Sequence, residues 1–143
     1  PMSELAIHTN VVNRERYACL VLKKAQRLGM KAAVFFDNEN DMDQLDNLLW
    51  TFEPSSFIPH SIARTAGATG NAYLLSDNPE HIGSGDLLVL LTHNVPPAIH
   101  DLMQRFPKVI DIVPKEDPGL TEGRRRFVAY KRNGITPVVH NRQ

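Results

Sequence analysis

The stretch that decides the fold is Leu87-Leu88-Val89-Leu90-Leu91, an apolar run between Asp86 and Thr92. The run is far too short to cross a bilayer, since a spanning helix needs about 20 residues. It also lacks the alternation of polar and apolar residues that is typical of a strand with one wet face. It therefore predicts a strand buried on both faces, as found in parallel sheets that are covered by helices.

Further strand-like runs and helical patterns alternate on either side of this stretch. The other predicted strands are 5–9, 31–36, 72–76 and 108–113, and helical spacing predicts helices over about 13–28, 38–52, 97–106 and 119–133. Asn13 is a predicted N-cap, and Gly29 and Gly134 are predicted to close the first and last helices. The pattern predicts an α/β fold in three layers. Its mostly parallel central sheet carries helices on both faces, in a Rossmann-like topology without a dinucleotide motif.

Composition and charge favour a soluble protein with a local acidic partner. Of the 143 residues, 42% are hydrophobic and 22% are charged, and the formal net charge is zero. Residues 115–143 nevertheless hold seven Lys or Arg against three acids. A neutral chain with one basic end is a poor general DNA binder. The lone Cys19 excludes an internal disulfide and, with no membrane-spanning run, predicts a cytoplasmic location.

Catalytic chemistry has little support in the sequence. Ligands of open α/β sheets bind at the carboxyl ends of the strands, where this chain offers Asp37, Asp77 and His93. These three residues define one alternative, a small nucleotide-binding enzyme, although capping of a helix or turn is the simpler role for both acids. No phosphate-binding glycine loop and no close metal-ligand spacing occur. We therefore expect no catalytic residue, no metal and no cofactor.

The first candidate surface combines Trp50 with the segment 57–60. Trp50 follows the predicted buried stripe of its helix by one residue, so it points roughly 100° away from that stripe. Phe57, Ile58 and Pro59 follow in a segment predicted to be extended. Together these residues indicate an exposed apolar patch of the kind that binds partners. The alternative is that both aromatic rings cover the core.

The second candidate surface is one face of the last helix. Leu120, Arg124, Phe127 and Lys131 recur at helical spacing and alternate apolar with cationic groups. Such a face can hold an aromatic side chain and pair a carboxylate. The alternative is a half-buried helix whose basic side chains extend along the core.

Direct binding of single-stranded DNA through Arg124-Arg125-Arg126 is a further alternative. Binders of this kind usually combine a basic groove with several exposed stacking aromatic residues. The chain contains only three Tyr and one Trp.

Both candidate surfaces resemble motifs of the DNA polymerase III chi subunit family. The first resemblance covers Leu45-Asp46-Asn47-Leu48-Leu49-Trp50 followed by Ser56-Phe57-Ile58-Pro59-His60. The second covers the strand 109–114, which ends in Val113-Pro114, and the basic helix 124–134. The order and spacing are similar from Tyr17 to His140. Leu120 stands where family members often carry a basic residue, so the implied pocket relies more on Arg124 for its positive charge.

The resemblance implies a non-catalytic adaptor of DNA replication. A chi subunit binds the acidic C-terminal tail of single-stranded DNA-binding protein, which ends in Pro-Phe, and a psi subunit links it to the clamp loader. The implied tail-binding residues are Val113, Arg124, Phe127 and Lys131, with Tyr130 and Gly134 as neighbours. The implied surface for the second partner is Trp50, Phe57, Pro59 and His60. Residues 2–143 are expected to form one chi-like domain, with Pro1 a tag remnant.

Overall fold

The computed structural model describes residues 3–52, 58–65 and 73–142, and these form strands and helices in the predicted alternation. The strands are β1 (Glu4–Val11), β2 (Ala32–Phe36), β3 (His60–Ile62), β4 (Tyr73–Ser76), β5 (Leu87–Leu91), β6 (Lys108–Pro114) and β7 (Val138–Asn141). The helices are α1 (Arg14–Arg27), α2 (Glu39–Thr51), α3 (Ile99–Arg105) and α4 (Gly119–Arg132), with a 3-10 turn at Pro79–His81.

The sheet is parallel at every pairing of the described strands. Its order is β3-β4-β2-β5-β6-β1-β7, so β5 lies at the centre. All residues of β5 are buried, as are all residues of β2 and β4. The prediction of an α/β fold around this apolar run is confirmed.

Helices cover both faces of the sheet. Leu22 of α1 and Leu45 of α2 belong to the core cluster on one face, whereas Leu102 of α3 and Tyr130 of α4 belong to the cluster on the other. β1 and β6 are neighbours, but the helices that follow them leave to opposite faces. This divergence opens a crevice at the carboxyl ends of the strands, the usual ligand position of such folds.

The predicted helix ends are largely confirmed. The side chain of Asn13 accepts a hydrogen bond from the backbone nitrogen of Arg16, and Gly29 and Gly134 adopt φ angles of 69° and 76° just past their helices. Both glycines occupy the left-handed region that a side chain disfavours. The third helix differs, since it begins at Ile99 and Pro97 precedes it.

The last strand was not predicted. All four residues of β7 are exposed, including Val138 and Val139, and the strand pairs with β1 in parallel. Because β7 contributes no buried side chain, it has no hydrophobic period by which a sequence pattern could reveal it. The main-chain ladder to β1 defines it instead.

Candidate functional site

Helix α4 lies unusually close to strand β6 because two glycines face the strand. A Cβ atom on Gly123 would lie 2.4 Å from Cγ1 of Val113, and one on Gly119 would lie 2.5 Å from Cγ of Pro114. Both distances are shorter than van der Waals contact, so a side chain at either position would force Val113 or Pro114 to shift. The two residues are four apart and therefore stack on the same helix face.

A buried polar network fixes the same face of α4 to β6. The guanidinium of Arg126 donates from Nε and Nη2 to the two carboxylate oxygens of Asp111, each at 2.9 Å. The hydroxyl of Tyr130 also donates to Asp111. All three residues are at most 3% exposed. Arg126 also donates to the carbonyl oxygens of Ile112 and His93, at 3.3 and 3.4 Å. The two charges are thus paired and have further hydrogen bonds, the condition under which a buried ion pair is tolerated.

The pKa values of this network follow from burial and from the carboxylate. Burial, and then the charge of Asp111, raise the pKa of the Tyr130 phenol well above its ordinary value. Burial lowers the pKa of Arg126, but the Asp111 carboxylate more than compensates and the net shift is upward. Arg126 therefore stays protonated, and its charged group lies in the interior rather than at the surface.

The basic triplet consequently presents two arginines rather than three. Arg124 and Arg125 are exposed, whereas Arg126 is buried. Successive helix residues are about 100° apart, so Arg124 lies on the flank of α4 that carries Leu120 and Phe127. Arg125 points toward the opposite flank.

The structure brings together three of the residues predicted to bind the tail. Arg124 and Lys131 are exposed, Phe127 is half-buried against the core, and the Lys131 Nζ lies 5.2 Å from the centre of the Phe127 ring. This is a cation–π distance. We refer to Leu120, Arg124, Phe127 and Lys131 as the basic flank. A ring with cations beside it matches the predicted mixed face.

The other predicted tail residues occupy different environments. Val113 is 4% exposed and lies beneath Gly123, and Gly134 is exposed beyond the end of α4. Tyr130 is fully buried in the network with Asp111. A peptide approaching from solvent has no access to it, so Tyr130 is a support for α4 rather than a surface neighbour of the basic flank.

The second predicted surface contains an exposed tryptophan over a buried histidine. Trp50 is 60% exposed, as its position off the buried stripe predicted. The His60 ring lies beneath it, edge to face, with centroids 5.3 Å apart. Pro59 is exposed beside them, and Phe57 lies outside the described residues. The Nε2 atom of His60 lies 3.2 Å from Oδ1 of Asp46, which joins the two ends of the first motif.

Asp37 and His93, two of the three residues of the enzyme alternative, make structural contacts. The Asp37 carboxylate accepts hydrogen bonds from the backbone nitrogens of His93 and Asn94, and so fixes the loop after β5. The His93 ring contacts Asp41 at 2.9 Å and Glu122 at 2.8 Å. The hydrogen bond to Glu122 contributes most to a raised pKa of His93.

Asp77 is exposed at the end of β4 and does not take part in these contacts. The three candidate residues thus do not form one constellation. Among residues 3–52, 58–65 and 73–142, no cluster of His, Cys, Asp or Glu has a geometry that could hold a metal ion.

Two clefts lie along α4, one at its first turns and one along its second half. One, of roughly 330 Å³, lies in the crevice between α1 and α4 and is lined by Arg14, Glu15, His93, Glu122 and Arg126 among others. The other, of roughly 370 Å³, lies between the loop 94–97 and Arg125, Ala129 and Asn133. Both lie away from the basic flank, on the other side of the helix.

Sequence reasoning missed the residues that set the position of α4. Gly119, Gly123, Arg126 and Tyr130 fall at helical spacing and form its buried stripe. That spacing was the available signal, but an arginine within a basic triplet is usually solvated. Cys19 is buried, and burial raises the pKa of its thiol to about 12.

No helix in the described parts of the chain is both long and apolar enough to span a membrane. The fold and its surfaces define a three-layer α/β protein with an all-parallel sheet and a basic last helix. Comparison with known proteins identifies its family. The family model described as "DNA polymerase III chi subunit, HolC" matches residues 2–138. The chain belongs to the DNA polymerase III chi subunit family.

Individual relatives agree with this assignment over most of their length. The chain is 31% identical to the DNA polymerase III subunit chi of Pseudomonas aeruginosa over 127 residues, which cover 89% of this chain and 85% of the relative. It is 27% identical to that of Haemophilus influenzae over 128 residues, 89% of this chain and 86% of the relative. It is 29% identical to that of Escherichia coli over 121 residues, 85% of this chain and 80% of the relative.

Proposed function

We propose that this chain is a non-catalytic adaptor of the replicative polymerase in the cytoplasm. One surface binds the acidic C-terminal tail of single-stranded DNA-binding protein, and another binds a psi subunit that links the chain to the clamp loader. Contact with DNA is indirect, through the tail. Residues 2–143 act as one domain, and the adaptor needs no cofactor. Membership of the chi family supports this function, and two exposed surfaces supply the binding groups.

The observation that carries the tail-binding site is the basic flank of α4. Its half-buried Phe127 ring lies between the exposed cations Arg124 and Lys131. A terminal phenylalanine of the tail packs beside the Phe127 ring, and Val113 supports this part of α4 from beneath Gly123. Its carboxylate pairs with the Arg124 guanidinium, which can bind a carboxylate in bidentate geometry. Gly134 permits the chain to turn at the end of the site.

The charges of α4 favour an acidic ligand on this flank. Arg126 is neutralised internally by Asp111, whereas within residues 3–52, 58–65 and 73–142 neither Arg124 nor Lys131 lies within ion-pair distance of an acid, and Arg124 acts on Asp117 only through its charge. Acidic residues upstream in the tail add attraction that salt screens over about 8–10 Å. Specificity therefore comes from the terminal ring and carboxylate, and the acids mainly assist encounter.

The second surface comprises the exposed Trp50, the exposed Pro59 and the His60 ring beneath the indole, and we assign Phe57 to it from the motif. An exposed tryptophan is costly to leave in water and is typical of interface hot spots. It lies on α2, on the face of the sheet opposite α4. A psi subunit bound there leaves the basic flank open.

Calorimetry with three peptides tests the tail site. They are the intact acidic tail, its C-terminal amide, and a version without the final Phe. We expect an affinity on the order of micromolar, about −8 kcal/mol, for the intact tail. The other two peptides lose about 2 kcal/mol or more, the scale of a hot spot. Equal binding of all three peptides would reduce the site to a nonspecific basic patch.

Arg125 provides a matched control for Arg124. The two residues are adjacent, both are exposed, and both substitutions to Ala remove one charge. Arg124→Ala should cost about 2 kcal/mol or more, whereas Arg125→Ala should cost about 0.2–1 kcal/mol, as for an exposed charge. Equal losses would mean that only net charge matters. Stronger loss with Arg125→Ala would move the site to the cleft beside Asn133.

A further inference from the structure

One face of α2 carries a row of acids that ends in an aromatic ring. Its members, which we call the acidic ridge, are Glu39, Asp43, Asp46 and Trp50. They are four, three and four residues apart, so they share a helix face. α2 contains no Lys or Arg. Its remaining acid, Asp41, is bound to Arg14 at 3.2 Å and does not belong to this face.

The tryptophan at the end of the ridge rests on a fixed imidazole. The side chain of His60 is 0% exposed. Its Nδ1 donates to the carbonyl oxygen of Ile58 at 2.7 Å, and its Nε2 lies 3.2 Å from Oδ1 of Asp46. The indole meets this ring edge to face at an interplanar angle of 66°, a favoured aromatic geometry. The hydrogen bond at Nδ1 and the contact at Nε2 thus hold the position of the ring from two sides.

We infer that Asp46 and His60 are positioning residues that hold Trp50 for a cationic, apolar segment of a partner subunit. The inference rests on the proposed second-partner surface and adds the chemistry of its ligand. The segment offers an apolar recess to the indole and aligns Lys or Arg side chains with Glu39 and Asp43. A held indole loses little rotamer freedom on binding, which saves part of the cost of association.

Charge complementarity selects this partner over an acidic or neutral one. Glu39 and Asp43 are exposed on the ridge, so an acidic segment would meet like charges along its length. A basic segment gains attraction and a faster association. The single-stranded DNA-binding protein tail is acidic and is therefore excluded from this face, which keeps the two proposed sites selective.

The positioning role can be measured without any partner. Trp50 is the single tryptophan of the chain, so time-resolved fluorescence anisotropy of the intact protein reports its motion alone. Wild type should show mainly the slow decay of overall tumbling. His60→Ala should add a sub-nanosecond component, the timescale of free rotamer motion. Asn47→Ala, on the same exposed face, is the control and should leave the decay unchanged.

Asp46→Ala and Asp43→Ala separate positioning from charge. Each removes one carboxylate from the ridge, but only Asp46 contacts His60. Asp46→Ala should therefore add fast motion of the indole, and Asp43→Ala should not. Circular dichroism establishes that the variants fold, and Asp46→Ala provides the answer if His60→Ala does not. Wild-type decay in a folded His60→Ala, or in Asp46→Ala, would overturn the positioning role.

Binding of the psi subunit from the same organism tests the charge of the partner. Asp43→Asn should weaken binding about 1.4- to 5-fold at low salt, and the difference should vanish near 1 M salt, where the Debye length is about 3 Å. His60→Ala should weaken it about 2- to 12-fold, the cost of immobilising one side chain. Unchanged or tighter binding by Asp43→Asn would overturn the cationic assignment.

Trp50→Ala tests the proposed second-partner surface separately from the positioning and charge assignments. Loss of about 30-fold in psi affinity is expected of a hot spot. If Trp50→Ala binds like wild type, the proposed second-partner surface itself is wrong. If Trp50→Ala loses affinity while Asp43→Asn and His60→Ala do not, the surface stands and the positioning and charge assignments are wrong.

Discussion

Replacing Asp111 by Asn should strongly destabilise the protein. The substitution preserves volume, so the measured cost reports charge and hydrogen bonding rather than a cavity. It removes the negative charge and replaces one of the two carboxylate oxygens that accept from Arg126 and the Tyr130 hydroxyl with an NH2 group, which cannot accept. A buried guanidinium is then left without its counter-charge, a change that typically costs about 3–5 kcal/mol. Tyr130→Phe removes one donor and should cost about 1.5–3 kcal/mol.

Urea unfolding measures these losses as a lower midpoint at an unchanged slope. Asp101→Asn is the matched control, because it also breaks an Asp–Arg pair, with Arg105 at 3.1 Å. The Asp101 side chain is 65% exposed, so this control should cost only about 0.3–0.5 kcal/mol. An Asp111→Asn cost below about 1 kcal/mol would refute the network as the anchor of α4. A stable double variant Asp111→Leu, Arg126→Met would support it, since an apolar pair can replace a buried ion pair.

Three further outcomes follow from packing and charge. Gly123→Ala should cost about 1–3 kcal/mol by overpacking against Val113 and should also weaken tail binding, measured by urea unfolding and calorimetry. The pKa of His93 is raised in the folded state, chiefly by its hydrogen bond to Glu122. The protonated ring therefore contributes its full share to stability below the unfolded-state pKa of about 6.5, and this contribution is lost as pH rises through the folded-state pKa. The stability difference between wild type and His93→Gln should therefore shrink by a few tenths of a kcal/mol from pH 6 to pH 9. Burial, then Arg142, lowers the pKa of His8 to about 4, so the native state should lose stability as pH falls from about 6.5 toward 4. His8→Gln should reduce that acid sensitivity, and an unchanged pH profile would contradict the assignment.

The sequence predicts this fold well where burial is continuous and poorly where it is not. β5 and β2 are apolar throughout, and their interiors could be identified without knowledge of any partner strand. β7 is exposed at all four residues and is defined by hydrogen bonds to β1, which lies more than 120 residues earlier. A one-dimensional pattern carries no information about such pairing.

The sequence predicted the exposed residues of the candidate site better than the buried residues that hold α4 in place. The spacing of Arg124 and Phe127 placed them on one face, which depends only on helix geometry. The commitment of Arg126 to the interior depends on Asp111, a residue on another element, and on the close approach allowed by Gly123. Tyr130, expected only as a neighbour of the tail-binding residues, is fully buried for the same reason, since the distance between helix and strand cannot be read from the helix alone.

The two proposed surfaces can act together because the sheet separates them. The acidic ridge lies on α2 and the basic flank on α4, and the two helices pack on opposite faces. His93 provides a link between the helices, through Asp41 and Glu122. Its side chain is 40% exposed, so the bridge contributes no more than about 1 kcal/mol. Coupling through the bridge is limited to that energy and is reciprocal. Through this bridge, we therefore expect one bound partner to change the affinity for the other by about fivefold at most, so the two proposed surfaces are compatible with simultaneous binding.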